Sequence, residues 1–113
     1  MKTLTITIAE PWFSMIRDGK KKEEYREIKD YYRSRLFDGW DRVKAGGIYY
    51  YNREFEKYPL FKCFDLLVLR NGYRPNGPTI TLKNPKIRIG QGRPEWGAER
   101  GKNYFVITWE ENN

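Results

Sequence analysis

The chain has 113 residues, enough for one domain with one core. It carries 22 basic against 15 acidic residues, a net charge of +7 that favours polyanionic partners such as nucleic acid or nucleotides. It contains a single cysteine, Cys63, and no histidine. This excludes an intrachain disulfide, a cysteine-based zinc site, and any His triad, His base or His metal ligand.

Catalysis, if present, must therefore use Lys, Glu, Asp, Tyr, Thr or Ser. Aromatic residues make up 17% of the chain, too many large apolar side chains for disorder, so the core is expected to use rings more than aliphatics. The N-terminus lacks the apolar run of a signal peptide, and no stretch approaches a membrane span. A cytoplasmic, reducing location with no membrane association is the expectation.

Residues 3–8 alternate, with Leu4, Ile6 and Ile8 on one face and three threonines on the other, which predicts a half-buried strand. Glu10-Pro11 opens a helix with proline at its first position. Trp12, Phe13, Met15 and Ile16 form its apolar stripe, Trp12 being read as core, and Gly19 ends it. Residues 22–28 read as a strand with no purely apolar face, suited to an edge or a polar cleft.

Asp30 is the expected N-cap of a second helix near 31–40, where Tyr32, Leu36 and Trp40 recur every fourth residue. Lys44 to Gly47 reads as a turn, and Ile48 to Tyr51 as either a strand or a helix start, with Pro59 as a breaker. The rings Tyr49, Tyr50, Tyr51, Phe55 and Tyr58, beside Arg53 and Lys57, are either a core wall or base-stacking surfaces.

Phe64 to Arg70 is the strongest core strand, apolar on both faces through its middle, and Asn71-Gly72 closes it. Tyr73 to Pro78 reads as a loop. A strand starts at Thr79. Its apolar positions shift from even (Ile80, Leu82) to odd (Ile87, Ile89) across Asn84-Pro85, which predicts a bulge. Residues 90–101 form a glycine-rich loop carrying Arg93 and Arg100. It can either cradle phosphate or act as a barrel loop anchored by Trp96. Tyr104 to Trp109 is the last strand, and the polar tail follows.

Five strands with helices after the first two predict an α+β fold, a small mixed β-barrel with flanking helices in one domain spanning 1–113.

The densest charge lies at the first helix-to-strand change, Gly19-Lys20-Lys21-Lys22-Glu23-Glu24-Tyr25-Arg26. On a strand Glu24 and Arg26 share a face. Lys21 joins them only if it sits on the turn that Gly19 permits. A carboxylate between two cations stays ionised and orients both. Lys20 and Lys22 read as general surface charge.

The pattern Gly19-x-Lys21-x-x-Glu24-x-Arg26 resembles the G-x-K-x-x-E-x-R signature of the ASCH domain, a family of the PUA-like superfamily of small barrels. That resemblance implies a PUA-like barrel and a role in RNA metabolism or translation regulation, with Gly19, Lys21, Glu24 and Arg26 forming the site; separately, no cofactor and no metal are expected. One branch of the family resembles an amidohydrolase acting on N4-acylated cytidine, with a Lys, Thr and Glu set. Its lysine falls on Lys21, and its threonine falls on Glu24, so the hydroxyl nucleophile is missing here. Glu95 and Glu99 match its further acid by region only. Another branch resembles a ribonuclease.

Three functions stand open at this point. The chain is an RNA- or nucleotide-binding module, to which Arg93 and Arg100 contribute. It is a small hydrolase using Lys21 and Glu24 as catalytic residues. Or it is a basic protein-interaction module.

Overall fold

The computed structural model describes residues 1–40, 60–72 and 76–111. The expectations for the turn at 44–47, the aromatic stretch 48–58, Pro59, part of the 73–78 loop and the last two residues lie outside them. The elements are β1 (Thr3–Ile8), α1 (Trp12–Arg17), β2 (Glu24–Arg26), α2 (Asp30–Leu36), β3 (Leu66–Asn71), β4 (Thr79–Gln91) and β5 (Asn103–Glu110). They form a small α+β domain with one five-stranded mixed sheet, ordered β1-β3-β4-β5-β2. The β1–β3 pair is parallel and the others are antiparallel.

The alternation in β1 works as expected: Leu4, Ile6 and Ile8 are buried in the main core with Leu67, Leu69, Phe105 and Ile107. In β3 full burial is confined to Leu67 and Leu69, and Leu66 and Val68 are only partly covered, so one face of the strand is core. The parity shift in β4 is a bulge. Pairing with β5 slips between Lys83 and Lys86, and Asn84 takes the left-handed conformation that lets the strand turn there.

Both helices depart slightly from expectation. Pro11 is the N-cap of α1 rather than its first residue, and it offers no capping side chain. Glu10 supplies the acceptor instead, taking the Ser14 amide at 3.2 Å and the Ser14 hydroxyl at 2.7 Å. In α2 the cap is Lys29. Asp30 lies in the first turn, where its charge suits the helix dipole and pairs with Arg33 at 2.9 Å. The helix stops at Leu36, and Phe37 bridges to Phe61. Leu36 and Trp40 are nonetheless both buried, as their spacing implied.

The expected barrel is seen as an open sheet: among the described residues no backbone ladder joins its edge strands, β1 and β2. Two arginines occupy the outer edge of β1. Arg35 of α2 donates to the Thr5 carbonyl at 2.9 Å, and Arg26 of β2 donates to the Thr7 carbonyl at 3.0 Å. The sheet therefore curls until one side chain spans its two edges, and the Thr5 and Thr7 carbonyls are satisfied without a further strand. No helix among the described residues is long and apolar enough to cross a membrane.

Candidate functional site: a ring-walled cavity around Lys21

The turn at Gly19 sets the site. Helix α1 ends in a Schellman motif, with the Gly19 amide on the Ile16 carbonyl at 3.1 Å and the Lys20 amide on the Met15 carbonyl at 2.8 Å. Gly19 sits at φ +77, where a side chain is strained. The Lys21 amide also reaches the Met15 carbonyl, at 3.0 Å. This tight reversal points Lys21 back across the start of β2, toward Glu24 and Arg26.

Lys21 is 2% exposed and Glu24 6%, so both charges are buried. The Lys21 ammonium donates to Glu24 Oε1 at 3.0 Å and to the Trp96 carbonyl at 2.9 Å. It also lies 4.7 Å from the Trp12 ring centre and 5.5 Å from that of Tyr25. Glu24 Oε1 accepts the Tyr25 amide as well, at 3.0 Å, and Oε2 faces Arg26 Nη2 at 3.5 Å. Burial holds the Lys21 amine below its ordinary range, Glu24 opposes that shift, and the Arg26 charge adds to it.

These groups line a cavity of about 620 Å³. Its walls include the rings Trp12, Tyr25, Tyr32, Trp96 and Tyr104. Four cations (Lys21, Arg26, Lys29 and Lys102) meet three carboxylates (Glu24, Glu27 and Glu99) along it. Rings and a small cationic excess suit a planar, anionic or strongly polar ligand.

One wall is a strap between β4 and β5, containing a 3-10 turn at Pro94–Trp96. Tyr25 pins it. The Tyr25 hydroxyl accepts the Arg93 amide at 2.9 Å and donates to Glu23 at 2.8 Å. Its ring packs so closely that a Cβ on Gly92 would sit 2.5 Å from it. Gly97, at φ +100, lies against Trp12, where a Cβ would come within 3.0 Å. The strap thereby delivers the Trp96 carbonyl to Lys21. Burial pushes the Tyr25 phenol up to about 12.

Lys21, Glu24 and Arg26 converge as their spacing implied, and Gly19 shapes the turn without lining the cavity. Lys22 is exposed and pairs with Glu111 at 3.0 Å, and Lys20 is exposed too. Arg93 and Arg100 are exposed and lie outside the cavity wall. Arg93 stacks over Trp96 at 4.8 Å and faces Glu95 at 3.6 Å. The strap contributes the Trp96 ring and carbonyl, Gly97 and Glu99 to the site, and its arginines stay outside. Of the two acids matched by region, Glu99 lines the cavity and Glu95 does not. Among the described residues no cluster of acidic or thiol side chains could hold a metal.

Trp12 corrects an expectation. It is half-buried at the cavity and absent from the core, because Phe13 and Ile16 already occupy the inward face of α1. Two adjacent large rings on one short helix cannot share a face, and that signal was present in the sequence. The Trp96 carbonyl had no such signal, since any residue supplies one.

Comparison with family models, with curated proteins and with solved structures returned no match.

Proposed function

We propose that the chain is an RNA- or nucleotide-binding domain of the PUA-like, ASCH-type barrel class that acts in the cytoplasm. The ligand base lies among the rings of the cavity, and its backbone meets Lys29 and Lys102 at the mouth. The observation that carries this reading is the buried Lys21–Glu24–Arg26 set at the floor of a ring-walled cavity. A surface ion pair would need no such enclosure. The Arg26 contact between β2 and β1 supports the barrel assignment, because it links the two edges a barrel would join.

Fluorescence anisotropy with short labelled RNA at low salt tests the reading. Affinity falls as salt rises, and it drops at least several-fold in Lys21→Ala or Arg26→Ala. Absence of RNA and nucleotide binding at low salt refutes it.

A second reading is favoured by one observation: an amine pushed down by burial sits 3.0 Å from a carboxylate. That pair suits proton transfer during hydrolysis of a modified nucleoside or of RNA, with Lys21 as base and Glu24 relaying the proton. Turnover that survives in the Lys21→Ala, Glu24→Ala double variant removes this assignment.

A further inference from the structure

We infer that the cavity floor selects a ring edge bearing an oxygen acceptor over one bearing an amino donor. The inference rests on the nucleotide reading and adds which base edge enters and what it must carry.

The hydrogen-bond balance of the floor leans toward donors. Most of its acceptors already have protein donors: Glu24 Oε1 accepts from Lys21 and the Tyr25 amide, the Trp96 carbonyl from Lys21 and the Thr7 carbonyl from Arg26, while Glu24 Oε2 faces the Arg26 guanidinium as an ion pair at 3.5 Å. Donors remain. An ammonium has three N–H groups, and the described acceptors of Lys21 are two, with the weakly accepting face of Trp12 beside them. The Arg26 Nε is buried and finds no acceptor among the described residues. A buried donor without an acceptor is costly, and a ligand oxygen relieves that cost. A ligand amino group would add a donor to the excess.

Depth fixes which edge arrives. The side chain of Lys21 is 1% exposed, that of Arg26 19% and that of Lys102 40%. Lys29 is exposed as well. At this rim Lys29 and Lys102, beside Glu27 and Glu99, offer the phosphate two accessible cations, and the sugar sits beside it. In a pyrimidine nucleotide held that way, the ring position farthest from the sugar points to the floor. That position carries an oxygen in uracil and an amino group in cytosine. The oxygen at position 2 lies on the sugar side in both and does not discriminate.

Isothermal titration at low salt with uridine 5′-monophosphate and cytidine 5′-monophosphate tests this, with uridine-rich and cytidine-rich RNA oligomers run alongside. Uridine ligands are expected to bind roughly tenfold more tightly in each pair, the scale of one misplaced buried polar group. Lys21→Met removes the preference, and Arg26→Lys, which keeps the charge and moves the donor, reduces it. Equal binding of the two bases, tighter cytidine binding, or a preference that survives in a folded Lys21→Met overturns the inference and leaves the nucleotide reading standing. If no nucleotide or oligomer binds, both fall. The comparison on the native protein is decisive even where a variant fails to fold.

Discussion

The Lys21–Glu24 pair gives the sharpest test of the fold. Both side chains are almost fully enclosed and their charged atoms are 3.0 Å apart. Lys21→Met keeps most of the volume and removes the charge. Glu24 is then buried with the Tyr25 amide at 3.0 Å and, as its remaining charged partner among the described residues, Arg26 at 3.5 Å. Breaking a buried pair by removing one partner costs about 3–5 kcal/mol, and the remaining arginine argues for about 3. Glu24→Gln leaves a buried ammonium held by the Trp96 carbonyl and two rings. Removing the carboxylate partner likewise breaks the buried pair, and because the carbonyl and rings remain, a cost at the low end of that range, about 3 kcal/mol, is expected. The double variant removes both charges and is expected to cost less than the sum of the singles, with a coupling of about 2 kcal/mol. Urea unfolding of the four proteins at neutral pH, repeated at high salt, measures this. Single variants costing under about 1 kcal/mol, with coupling that vanishes in salt, would place the pair in the class of solvated surface bridges and refute the buried-site reasoning.

The titration of the same groups supplies further outcomes. Glu24→Gln removes the group that opposes the downward shift of Lys21, so the Lys21 amine is expected to titrate still lower, as read by NMR of labelled lysine. Between that lowered value and the ordinary 10.5 the unfolded chain holds more protons, so the Lys21 contribution makes stability rise with pH there. Tyr25 acts in the opposite sense: from about 10 to about 12 the folded chain keeps a proton that the unfolded chain has lost, so stability falls with rising pH. Lys21→Met and Tyr25→Phe should each flatten their own limb in pH-dependent urea melts. At neutral pH, Tyr25→Phe leaves the Arg93 amide without its acceptor and is expected to cost about 1 kcal/mol. Gly92→Ala puts a methyl 2.5 Å from the Tyr25 ring and is expected to cost about 1–3 kcal/mol by thermal unfolding. Because it displaces the strap, it should also weaken RNA binding.

Local patterns made much of the fold legible. Alternation placed β1, the parity shift placed the β4 bulge, and the fourfold spacing of Leu36 and Trp40 marked both as core although the helix ends between them. These features depend on neighbours in sequence. The less legible ones depend on distant partners. Cover over one face of β3 decides that Leu66 and Val68 stay partly exposed. A carboxylate from Glu10 can replace a missing cap, so the first helical residue shifted by one. At the site, Lys21, Glu24 and Arg26 were legible because a glycine turn followed by a strand fixes their relative directions. Tyr25 and the Trp96 carbonyl were not, because strap and strand meet across about seventy residues of chain, through Tyr25 to Arg93 and Lys21 to Trp96. Arg93 and Arg100 stand out in the sequence by charge, but charge does not say which way an exposed side chain points.

The contacts that build the site are also contacts of the fold. Glu24 pairs with Lys21 and accepts the first amide after itself in β2, so it fixes both the strand and the ammonium. Arg26 faces the same carboxylate and reaches the opposite edge of the sheet. The Trp96 carbonyl ties the strap to both through Lys21. A ligand that supplies an acceptor to Lys21 and Arg26 therefore tightens β1, β2 and the strap together. A bound ligand stabilises the native state by RT ln(1 + [L]/Kd), about 2.7 kcal/mol at a hundredfold excess over Kd. Hydrogen exchange resolves where that stabilisation appears. Protection gained at the β2 and Arg93 amides, and little at β3, is the pattern expected of a ligand at this floor. Uniform protection across the sheet would point to a ligand acting only through global stability.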